Sequence, residues 1–146
     1  MKFTSSTHFY IATNVKDSVF TKTQPLNYEK YVDFVDSHKS EFIWYEKTKS
    51  GLEVAENIDL VPADFKEGVL ASLKKVTCFK EFDEKKDHYN INCGFSFRNN
   101  WISIGFERTP KLEDLKIFVE MAKHLDALLL KDGTEIIDNK TIGNIT

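Results

Sequence analysis

Four histidines, two cysteines and a scatter of carboxylates are the residues of this chain with chemistry to offer. A metal centre needs several of them within a few ångströms, and motifs such as His-x-x-x-His or Cys-x-x-Cys supply a pair from one helix or turn. His8, His38, His88 and His124 stand too far apart for that, and a whole segment separates Cys78 from Cys93. No metal or cofactor is expected; His88 and Cys93 are the one pair close enough along the chain to check. Gly94-Phe-Ser96-Phe-Arg98 opens like the elbow that presents a nucleophilic serine, but Arg98 stands where a second small residue is needed. Phosphate-wrapping glycine loops are missing too. Glu81, Asp83, Glu84 and Asp87 of "KEFDEKKD" are interspersed with lysines, which reads as a solvated connector, because a general acid needs desolvation to raise its pKa. The expectation is a protein that is not an enzyme.

What remains is recognition chemistry, concentrated in "CGFSFRNNWISIGF" from Cys93 to Phe106, which holds one of the two arginines and one of the two tryptophans. If Asn99-Asn100 is a two-residue hairpin turn, counting outward pairs Arg98 with Trp101, Ser96 with Ser103, Gly94 with Gly105 and Asn92 with Glu107. Side chains alternate across a strand, so Cys93, Phe95, Phe97, Ile102, Ile104 and Phe106 share the core face. The opposite face then carries Asn92, Ser96, Arg98, Trp101, Ser103 and Glu107 as partner-binding residues, around a bare patch where two glycines oppose each other. Arg98 over the Trp101 ring would form a cation-π pair, and both residue types are enriched at the centres of protein interfaces. A second arrangement gathers Trp44, Tyr45, His88, Arg98 and Glu107 around a concavity of the sheet, as a small-molecule binder or enzyme would.

Three helices are expected to position these strands. Asn27 is a good N-cap for a stripe of Tyr28, Tyr31, Val32 and Val35 ending near Ser37. Pro62 opens a second, with Phe65, Val69, Leu73 and Val76 on one side as far as about Thr77, and Thr109-Pro110 opens a third, with Leu112, Leu115, Val119, Ala122 and Leu125 in line. Strands are expected over 8–14 and 42–47, the latter returning as "LEVAEN" after a Ser50-Gly51 turn. "LLLKDGTEII" reads as a hairpin about Asp132-Gly133. The sum is one α+β domain over residues 1–146, a mainly antiparallel sheet with about three helices packed on it and a tail that frays after about residue 138.

Composition narrows the class of partner. At 146 residues with 41% hydrophobic content the chain buries one sizeable core. A net charge of -3 disfavours nucleic acid, which selects clustered Lys and Arg, and no apolar run reaches the ~18 residues of a membrane helix. Two cysteines without a disulfide framework fit reduced thiols in a cytoplasmic protein. The expected function is a non-catalytic domain that binds another protein, most concretely a bacterial immunity-type inhibitor of a cognate toxin enzyme, as a monomer or homodimer; the alternatives are the small-molecule binder or enzyme above and a homo-oligomeric structural subunit in which the hairpin's outer face pairs with its own copy.

Overall fold

The computed structural model describes residues 2–15 and 24–143. Its elements run β1 Phe9–Ala12, α1 Tyr28–Asp36, β2 Ile43–Trp44, a 3-10 turn Tyr45–Lys47, α2 Lys49–Glu56, a second 3-10 turn Ile58–Leu60 and α3 Ala63–Ser72. β3 Thr77–Asp83, β4 His88–Ser96, β5 Trp101–Phe106, a 3-10 turn Leu112–Leu115, α4 Lys116–His124, β6 Leu128–Lys131, β7 Glu135–Ile137 and α5 Asn139–Gly143 follow. The strands form a single sheet in the order β2-β3-β4-β5-β1-β6-β7, antiparallel at every pairing. This is the α+β class expected, with five α-helices among the described residues rather than about three.

The two helices that build the core are those with the clearest sequence signals. Asn27 accepts the Lys30 N–H at 3.1 Å and starts α1, which buries Tyr31, Phe34 and Val35. The helical run ending in α4 begins later than Thr109-Pro110: the Asp114 carboxylate accepts the Lys111 N–H at 2.9 Å, satisfying a donor that the first turn would leave orphaned. Leu115, Val119, Ala122 and Leu125 are buried as the stripe requires. Both helices cover one face of the sheet, where Phe9, Ile11, Cys93, Ile102, Ile104 and Phe118 join a single hydrophobic cluster.

Local chemistry overturns several expectations. "LEVAEN" does not return as a strand, because the Thr48 hydroxyl accepts the Gly51 N–H at 3.1 Å and caps α2. Gly51 is therefore a helical glycine, and a Cβ there would collide with the Tyr45 carbonyl oxygen. The helix after Pro62 stops at Ser72 and buries none of its residues; Phe65, expected on its packed side, is 67% exposed. The presumed connector "KEFDEKKD" is half strand: β3 runs to Asp83, whose carboxylate accepts the Lys85 and Lys86 N–H groups in a tight turn into β4.

The β6–β7 hairpin forms as expected, with Asp132 (φ 52) and Gly133 (φ 82) both left-handed and the Thr134 N–H donating to the Lys131 carbonyl at 3.2 Å. Within the tail expected to fray after about residue 138, Asn139–Gly143 form α5, with Ile142 in the core; residues 144–146 lie outside the described residues.

Candidate functional site

The β4–β5 register differs from expectation by two residues. Ser96 faces Trp101, Phe95 faces Ile102, Gly94 faces Ser103, Cys93 faces Ile104 and Asn92 faces Gly105. The connection is a four-residue loop in place of the Asn99-Asn100 turn: Ser96 Oγ accepts the Asn99 N–H at 3.1 Å, and only Asn100 takes a left-handed φ of 56. Because strand side chains repeat every second residue, a slip of two leaves each on its expected face. Phe97 and Arg98 are the exceptions, since both now belong to the loop; Phe97 is 60% exposed, with its ring against Tyr28 and Phe95.

The slip changes what sits beside what. The two glycines do not oppose each other, and no bare backbone patch results: the Asn92 amide lies 2.9 Å from where a Gly105 Cβ would stand, and Thr77 Oγ1 lies 3.4 Å from that of Gly94. Arg98 leaves the strand for the exposed loop, so the expected Arg98–Trp101 pair across the strands is replaced by Trp101 packed on Tyr10, ring centroids 4.8 Å apart.

Three adjoining hollows mark the face of the sheet away from α1 and α4. Asn92 and Glu107 line one of about 430 Å³, together with Tyr45, Phe79, Phe82 and Tyr89. Asn92, Ser103 and Glu107 also border a second of about 320 Å³ with His8 and Tyr10. Trp101, Tyr10 and Leu130 line a third of about 120 Å³. Of the residues singled out from sequence, four are thus brought together along this face, while Ser96 serves the loop and Arg98 lies beyond it. From the second predicted set, Tyr45, His88 and Glu107 meet at the largest of these hollows; Trp44 is buried in the core against Tyr31, and Arg98 is not among them.

The aromatic wall was missed because its rings come from separate segments: Tyr45 from the 3-10 turn, Phe79 and Phe82 from β3, and Tyr89 from the start of β4. Phe79 and Phe82 both reach Tyr89, at 5.4 and 5.1 Å between centroids, although residues three apart in a regular strand point to opposite faces. Glu81 between them adopts a left-handed φ of 59 and reverses the alternation. Its side chain is gripped from the helical face, with Arg108 Nε and Nη2 donating to the two Glu81 oxygens at 2.7 and 2.8 Å and Asn90 Nδ2 adding a third bond at 2.7 Å. Arg108 also donates to both Asp114 oxygens, at 2.8 and 2.9 Å, joining the strand end to the start of the helix. The Arg108 hydrogen bonds hold the Glu81 pKa below the ordinary carboxylate range. Burial would raise that of Asp114, but the bonds from Arg108 and the Lys111 N–H outweigh it and hold it low as well.

His88 lines the largest hollow and has Asn90 Oδ1 at 3.3 Å from Nε2, while Cys93 is fully buried on the core face, so that pair is not brought together. Burial pushes the Cys93 thiol pKa well up, the reverse of an activated nucleophile. Among the described residues no three His, Cys, Asp or Glu side chains converge as metal ligands, and no helix is long and apolar enough to cross a membrane. The chain matches no protein-family model, no curated protein and no solved structure.

Proposed function

We propose that this chain is a protein-binding domain that acts without catalysis, through the face of the sheet that α1 and α4 leave open. One observation carries the reading: Tyr10, Phe79, Tyr89 and Trp101, from four strands, converge with Asn92, Ser103 and Glu107 around adjoining hollows on a face outside the core cluster. Aromatic rings give rigid contact area at low entropic cost, and polar groups at the rim fix register, the combination that dominates protein interfaces.

The most concrete form of this function is an immunity-type inhibitor that covers the active site of a cognate toxin enzyme in a bacterial cytoplasm, a task needing only complementary shape and charge. The net charge of -3 and the exposed Glu107 on this face favour a partner with a basic contact surface. The test is recovery of the protein from its native host after mild cross-linking, followed by mapping of the linked residues and assay of the partner. A stoichiometric enzyme, inhibited in the complex and released by Ser103→Trp, is expected. Cross-links confined to α1 and α4, or a partner indifferent to Ser103→Trp, would remove the reading.

A further inference from the structure

The largest hollow on the open face has a composition more specific than a general contact surface. It is lined by the rings of Tyr45, Phe79, Phe82 and Tyr89 and by two carboxylates, Asp87 and Glu107. Ring faces carry negative electrostatic potential and attract a cation that has shed part of its water. Among the described residues neither carboxylate has an ion pair or a side-chain hydrogen bond, whereas the Arg108 cluster a residue away is fully paired. Against these two acids the lining offers one ammonium, that of the exposed Lys49, and the His88 imidazole.

We infer that this hollow is a site for an organic cation, a guanidinium or ammonium head on an apolar stem, with the stem against the rings and the head at Asp87 and Glu107. The volume of about 430 Å³ suits one such group. The inference rests on the protein-binding reading in that a basic side chain of the partner is one source of the cation; a free amine is the other. Inorganic cations are disfavoured because the site lacks the converging oxygens that replace a hydration shell.

The test uses the intact protein and a matched pair of probes, n-butylguanidinium and the uncharged n-butylurea, titrated while amide and aromatic NMR signals are followed. Saturable shifts at Tyr45, Phe79, Tyr89 and Glu107 with the cation, and none with the urea, are expected. The double variant Asp87→Asn, Glu107→Gln removes charge without changing shape, and Asn tolerates the left-handed φ of 54 at position 87. It should weaken binding by about tenfold, and Phe82→Ala by about fivefold, with melting temperatures that show both variants folded.

A second arm compares a short peptide bearing one arginine with its citrulline twin. An arginine peptide much tighter than n-butylguanidinium assigns the site to a protein side chain; equal affinity assigns it to a small amine. Cation and urea binding alike, or a cation indifferent to the double variant, would overturn the inference. If n-butylguanidinium binds but no protein partner contacts the face, the protein-binding reading fails alone. If a partner contacts Trp101 and Ser103 yet binds the double variant as well as the native protein, the cation site fails alone.

Discussion

Arg108 shows how one residue fixes both stability and the shape of the open face. Its side chain is 26% exposed, and its guanidinium forms two bidentate pairs, with Asp114 inside and with Glu81, which is 41% exposed. Arg108→Ala leaves the Asp114 carboxylate poorly compensated; with the exposed Glu81 pair discounted for solvent screening, the loss should be about 2 kcal/mol in chemical denaturation. The pH dependence follows from the same contacts. Glu81 and Asp114 have pKa values lowered by folding, so the unfolded chain binds their protons more readily in acid. Their stabilisation is present in full above the unfolded carboxylate values near pH ~4 and is lost as pH falls through the folded ones. Denaturation midpoints should therefore drop below about pH 4 in the native protein and drop less in the double variant Glu81→Gln, Asp114→Asn. Cys78 and Cys93 face each other across β3 and β4, both fully buried. Neither should react with a thiol reagent until the chain unfolds, when both should, as a colour assay with and without denaturant will show.

At the scale of elements, legibility followed burial. The stripes of α1 and α4 could be read because each helix turns an apolar side into one core, and the β6–β7 hairpin because Asp-Gly fits two successive left-handed positions. α2 was misread because Gly51 stands for a turn in sequence and for close packing in the fold, a choice made by the Thr48 hydroxyl and the Tyr45 carbonyl. α3 carries helical periodicity but contributes nothing to the core, so its pattern predicted the element and not its place. Phe65→Ser should change stability by less than about 0.5 kcal/mol, whereas Phe118→Ala, at a ring with no exposed area, should cost about 3 kcal/mol or more in the same denaturation experiment. The faces of β4 and β5 were legible because a two-residue slip preserves them, while the opposition of particular residues was not. The cavity wall was hidden because Phe79, Phe82 and Tyr89 share a side only through the left-handed Glu81, which no periodicity announces.

For the whole molecule, the two faces of the sheet differ in what covers them. One face is filled by α1 and α4 and supplies the core; the other presents aromatic and polar side chains around open hollows. Asn92, Trp101, Ser103 and Glu107 lie on the side of the sheet expected for them, where Asn92 and Glu107 are joined by Tyr45, Phe79, Phe82 and Tyr89, of which Phe82 alone belongs to the stretch read as a connector. The most direct test is hydroxyl-radical footprinting of the protein alone and in complex with the macromolecule that co-purifies with it from its native host. Protection should fall on Tyr10, Tyr45, Phe79, Tyr89 and Trp101 while Leu60 and Phe65 keep their full reactivity. Protection of Leu60 and Phe65 with the five aromatic residues unchanged, or a protein that emerges from its host without any stoichiometric companion, would contradict a binding role for the open face.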